Sequence, residues 1–106
     1  MSTPTVSSAP HPAVSAEVLA FAREQGVERY LPELIELARQ VYPSATRFDV
    51  FTEDDPDIPD RYIVFELDAP LTVEQALEAD KRWREGWLRI YPSPRTCVFR
   101  KSVNLP

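Results

Sequence analysis

A chain of 106 residues, 43% apolar and 27% charged, has the make-up of one globular domain with a single modest core and no room for a second. A formal charge of −5 and a pI near 4.8 give no net attraction to phosphate backbones, which argues against a nucleic-acid partner. One cysteine excludes an intrachain disulfide, and there is neither a secretory leader nor a run of ~20 apolar residues, so no membrane contact and a cytoplasmic location are expected.

Residues 1–14 are mainly Ser, Thr, Pro and Ala without periodicity, and are expected to form a disordered tail ahead of one domain at 15–106. Ser15 suits the N-cap of a first helix over 16–25, closed by Gly26 at the position where φ > 0 is cheap. A second helix over 28–42 follows. Its apolar residues Val27, Tyr30, Leu31, Leu34, Ile35, Ala38, Val41 and Tyr42 fall on an i, i+3, i+4, i+7 ladder that marks it as core. Pro32 is tolerated in its first turn and Pro43 ends it.

Arg47–Thr52 and Tyr62–Asp68, rich in β-branched and aromatic residues, are predicted strands of one hairpin. A capping box, Thr72 with Gln75, opens a third helix that runs to about Tyr91. Thr96–Arg100 is the third predicted strand. The order α-α-β-β-α-β predicts a small α+β domain, with a three-stranded, mainly antiparallel sheet packed against helices. A right-handed crossover from the second strand to the third puts helix 3 on one sheet face, with the third strand's neighbour left open.

The hairpin connection carries five carboxylates, Glu53, Asp54, Asp55, Asp57 and Asp60, followed by Arg61. Glu53, Asp55 and Asp57 match the opening 1, 3, 5 spacing of a calcium loop, but Ile58 stands where its glycine should be and Val64 where its bidentate glutamate should be. No metal or other cofactor is therefore assigned. Pro56 and Pro59 stiffen the loop, and a stiff display of carboxylates suits recognition of a basic surface on another protein, against the plain alternative of a solvated hairpin tip.

On helix 3 the residues Val73, Ala76, Leu77, Trp83, Trp87, Leu88, Ile90 and Tyr91 share one broad apolar side, with Asp80 near its middle and Arg84 within it. Asp80 is then either an acid in a Trp-lined pocket or a paired one, its partner being Arg84 at i+4, Arg47, Arg61 or an indole N–H. A third alternative has the arc broader than its internal contact, with the tryptophans reaching a partner.

In the sheet, Phe48, Val50, Ile63, Phe65, Leu67, Cys97 and Phe99 back the helices. The other face holds Phe51, Tyr62, Val64 and Val98 among Asp49, Glu66 and Arg100, too apolar for a plain solvent face. Either helix 1 wraps behind it, or it meets another chain, a second copy included.

Cys97 reads as a small apolar core residue. The one histidine, His11, lies in the tail between prolines, so Ser-His-Asp and Cys-His catalysis are excluded. Two isolated glycines make neither a P-loop nor a dinucleotide loop.

Three functions are consistent with these residues. The first is an acidic protein–protein interaction module, of antitoxin-like, inhibitor-like or accessory-subunit type, contacting its partner through the 53–60 loop, Arg61, Phe51, Tyr62 and Val64. The second is a small-molecule-binding domain or small enzyme with a pocket at Asp80, Trp83, Arg84 and Trp87. The third is a nucleic-acid binder using Arg89, Arg95, Arg100 and Lys101, which the acidic total disfavours.

Overall fold

The computed structural model describes residues 9–57, 60–91 and 98–106. Helix α1 spans Ala16–Glu24. A single 3₁₀ turn, Glu28–Tyr30, leads into α2, Leu31–Val41. Strands β1, Arg47–Asp54, and β2, Arg61–Asp68, precede α3, Val73–Ile90, and β3, Phe99–Asn104.

Local chemistry accounts for the helix ends. The Ser15 hydroxyl accepts from the Val18 N–H, and the Thr72–Gln75 capping box closes in both directions, at 3.1 Å and 2.9 Å. Gly26 follows the C-cap of α1 at φ +71°. A side chain there would meet nothing within 4 Å, so only backbone strain opposes one. Gly26→Ala is accordingly expected to cost about 1 kcal/mol, measured as a small parallel shift of the denaturation midpoint.

The sheet order is β1-β2-β3, so β2 is central. β1 and β2 pair antiparallel, from Arg47 opposite Asp68 to Asp54 opposite Arg61. β3 runs parallel to β2, from Phe99 beside Ile63 to Asn104 beside Asp68, as a crossover through α3 requires. The sheet is therefore mixed.

Two strand boundaries differ from the sequence reading. The hairpin ladder continues two residues into the acidic stretch because Arg61 donates to Asp54 across it, at 2.8 Å. β3 lies C-terminal of the expected 96–100 window. Its ladder with β2 carries it through Lys101–Asn104, with Phe99 and Val103 turned to the same side as Ile63 and Leu67. Thr96 and Cys97, like Pro59 of the loop, lie outside the described residues.

One aromatic-rich core fills the space between the helices and one face of the sheet. Phe65, fully buried, meets Phe48, Trp83 and Phe99 edge-on at ring separations of 5.7, 6.0 and 5.9 Å. Trp87 and Tyr91 extend the cluster from Phe99 to Tyr30. Helix α1 does not pass behind the sheet. Val18 and Ala22 enter the same core, and Glu17 accepts from Thr52 on the inward side of β1. From Ala9 onward the expected tail lies against α2: Ala9 is buried, and the Arg39 guanidinium donates to its carbonyl at 3.2 Å and 3.3 Å. Among the described residues no helix is long and apolar enough to cross a membrane.

Candidate interaction surfaces

The acidic connection is shaped by its own hydrogen bonds. The Asp55 N–H donates to the Asp60 carbonyl at 2.8 Å, and the Asp57 N–H donates to the Asp55 carboxylate at 2.9 Å, an Asx turn that sets the direction of the loop. Asp55 is the most covered of the five acids. It also accepts from the Tyr62 hydroxyl at 3.4 Å and lies 3.9 Å from the Arg100 guanidinium. Asp54 is paired with Arg61, whose pKa this carboxylate raises. Glu53, Asp57 and Asp60 are exposed, and among the described residues no side-chain cation lies within ion-pair distance of them. No group of three or more acidic, histidine or cysteine side chains among the described residues is arranged to hold a metal ion.

The sheet face beside this loop is better covered than its composition suggests. Val64 is only 5% exposed, and Phe51 and Tyr62 are half-buried. The Arg100 guanidinium lies 3.6 Å above the Tyr62 ring, a cation–π lid. At the other end Arg47 reaches Asp49 at 2.6 Å and Glu66 and Asp68 at 3.7 Å. Arg100 thus covers part of the apolar surface of this face, and Arg47 ties its carboxylates together.

Helix α3 divides its wide apolar side in two. Ala79 and Trp83 are buried, and Trp87 and Ile90 partly so, against the sheet and α2. The two helices approach so closely that a Cβ on Gly86 would lie 2.5 Å from Leu37. Val73, Leu77 and Leu88 form the other half and are 67%, 67% and 71% exposed. The tryptophans therefore do not reach outward; the aliphatic residues do.

Asp80 sits at the boundary between these halves and is paired. Lys101, on β3, donates to it at 2.8 Å, and Arg84 lies 3.2 Å away on the next turn. The Lys101 hydrogen bond holds the Asp80 carboxyl below its ordinary value of 3.8, against the opposing effect of its partial burial, with both cations adding attraction. Lys101 is 11% exposed, also donates to the buried Tyr42 hydroxyl, and lies over the Tyr42 and Trp83 rings. One ammonium thus ties α2, α3 and β3 together. Sequence reasoning found Arg84 as a partner but missed Lys101. The signal was the alternation Phe99, Lys101, Val103, which puts the lysine on the inward side of β3.

Of the four expected pocket residues, Trp83, Arg84 and Trp87 line a shallow groove of about 160 Å³ with Phe99, Arg100 and Lys101. Asp80 borders it through Lys101. Arg61 is not part of it, being held at the hairpin by Asp54. A larger hollow of about 340 Å³ lies between the N-terminal segment and α2, lined by Val14, Leu19, Leu31, Pro32 and Ile35, with His11, Glu28 and Glu36 at its margin.

Comparison with protein-family models, with curated proteins and with solved structures finds no match to this chain. Its surfaces are therefore read from their own geometry.

Proposed function

We propose that this chain is a protein–protein interaction module. The observation that carries the reading is the outer face of α3, where Val73, Leu77 and Leu88 stand two-thirds exposed while the same helix buries Trp83 and partly buries Trp87. Aliphatic side chains exposed in this way mark a contact surface rather than random surface apolarity.

The acidic tip supplies a second contact of different character. Two internal hydrogen bonds, from the Asp55 N–H to the Asp60 carbonyl and from the Asp57 N–H to the Asp55 carboxylate, reduce the ordering required when Glu53, Asp57 and Asp60 meet a basic surface. An acidic accessory or inhibitor-like subunit, of the kind antitoxins represent, has this combination of net charge and preorganised carboxylates, and acts by covering a basic surface of its partner. Small-molecule binding at Trp83, Arg84 and Trp87 is the weaker reading. The groove, about 160 Å³, falls short of the ~300–1,000 Å³ of ligand pockets, and its most buried cation already serves Asp80.

The test is native purification at low expression from the chain's own host, with mass spectrometry of whatever remains associated. A defined second polypeptide is expected. Replacing Glu53 by Gln and Asp57 and Asp60 by Asn should weaken its binding about tenfold or more at low salt, with an unchanged melting temperature. Recovery of the chain without any bound polypeptide, together with a monomer at about 200 μM, overturns the reading.

A further inference from the structure

The arrangement of charges around the exposed leucines of α3 identifies one occupant for that face. Leu77 and Leu88 are eleven residues apart, close to three helical turns, so they lie on one line about 16 Å apart. Val73 precedes Leu77 by about one turn on nearly the same line. Between the leucines, Asp80 and Arg84 border the line on one side, joined at 3.2 Å, and Lys81 and Glu85 border it on the other. Each flank thus holds one acid and one base four residues apart, in opposite order along the helix.

Now place a second α3 antiparallel to the first, with a twofold axis passing between positions 82 and 83. Leu77 then meets Leu88 of the second copy, and Leu88 meets its Leu77. On one flank Arg84 comes within one residue, about 1.5 Å, of the level of Asp80 of the second copy; on the other Lys81 comes equally near the level of its Glu85. Each contact occurs twice by symmetry, as an isologous interface requires. The chain as a whole is acidic, but α3 is not. Glu74, Glu78, Asp80 and Glu85 balance Lys81, Arg82, Arg84 and Arg89, so the helix brings no net charge to its own copy.

We infer that the face of α3 bearing Val73, Leu77 and Leu88 binds a second copy of this chain, helix antiparallel to helix, with Leu77 and Leu88 pairing in two layers either side of the twofold axis and two exchanged ion pairs on each flank between them. This rests on the interaction-module reading and names the partner for one of its surfaces. A single pair of helices about 27 Å long buries less than the ~800 Å² per partner of a standard interface, so the dimer is a weak, concentration-dependent one.

The decisive measurement is sedimentation velocity of the purified chain from about 1 to 200 μM, where a micromolar association is fully traversed. Wild type should pass from monomer to dimer, and Leu77→Asp should weaken association by about 100-fold or more, since it places a carboxylate against Leu88 in each of the two apolar layers. Lys81→Glu should weaken it about tenfold, and adding Glu85→Lys should restore it, because the exchanged pair is rebuilt with reversed sign. All three residues are exposed, so these variants are expected to fold. Orientation is read from disulfide formation in a Cys97→Ser background. Mixed Leu77→Cys and Leu88→Cys chains should link to each other, whereas Leu77→Cys alone should not link to itself.

A monomer at 200 μM, a dimer indifferent to Leu77→Asp, or a dominant 77–77 link would each overturn the inference. A complex with a different polypeptide that Leu77→Asp dissociates, beside a chain that stays monomeric alone, would overturn self-association while leaving the interaction-module reading intact.

Discussion

Phe65→Ala should remove about 3–5 kcal/mol of stability, enough to leave much of the chain unfolded at 37 °C. Phe65 has no exposed surface, sits on the central strand, and is touched edge-on by rings from three different elements: β1, α3 and β3. Truncation leaves a cavity that three rigid aromatic rings cannot collapse into, so the cavity cost adds to the lost transfer energy. For a domain near this size the melting temperature should fall by about 15–30 °C. Leu77, also large and apolar but 67% exposed, provides the comparison. Its replacement by Ala, measured at low micromolar concentration, should cost under about 1 kcal/mol. Similar losses at both positions, by calorimetry or urea titration, would contradict the packing described.

Asp80→Ala should be the most damaging change to a charged residue, at about 2 kcal/mol. It strands Lys101, which is 11% exposed, with the Tyr42 hydroxyl and the Tyr42 and Trp83 rings as its remaining partners among the described residues. Breaking a fully buried pair costs ~3–5 kcal/mol. Asp80 itself is 41% exposed, so solvent screening and neighbouring water reduce that figure. Lys101→Met removes the stranded charge as well and keeps the stem's packing, at a cost of about 1 kcal/mol for the Tyr42 hydroxyl left without its donor. The double variant should therefore be more stable than Asp80→Ala alone, a sign that only a coupled pair gives.

The same pair sets a pH dependence. Asp80 titrates below its ordinary 3.8 in the folded chain, so between the two values the unfolded state binds more protons. Its contribution is complete above about pH 5 and is lost as pH falls through the folded value. In Asp80→Asn the slope of stability against pH below about 4 should flatten. An unchanged slope, followed by urea titration at successive pH values, would remove Asp80 as its source.

Much of this architecture was legible in the residues because it is locally encoded. Ser15, Gly26, and Thr72 with Gln75 mark helix ends by chemistry that acts within one turn. The alternation of Phe48, Val50, Ile63, Phe65 and Leu67 fixes which face of the hairpin is buried. What was not legible depends on non-local partners. No tight turn sets the register of β3, which joins β2 through a long crossover, and a lysine occupies one of its inward positions. Its extent, and with it the Lys101–Asp80 bridge, could not be read from the alternation of apolar residues alone.

The split of α3 was hidden for a related reason. A helical wheel records that Trp83, Trp87, Leu77 and Leu88 are all apolar, but not which of them the rest of the fold covers. Small residues carried the clue. Ala79 and Gly86 lie on the Trp83 side, where α2 needs room to approach, and the Val73–Leu77–Leu88 line has none. The acidic loop shows the converse. Its carboxylates were evident from composition, but the division between Asp54 and Asp55, held internally, and Glu53, Asp57 and Asp60, with no ion-pair partner among the described residues, depends on hairpin register.

The position of β2 between an antiparallel neighbour and a parallel one also orders events in time. β1 precedes β2 directly in sequence and can pair with it at little entropic cost, whereas β3 is separated from β2 by the α3 crossover. Until that crossover closes, the hairpin presents the β3-facing edge of a strand reading RYIVFELD, whose unpaired backbone groups are a template for any other extended chain. That edge is covered only when β3 pairs with β2, and the salt bridge from Lys101 to Asp80 then ties β3 to α3.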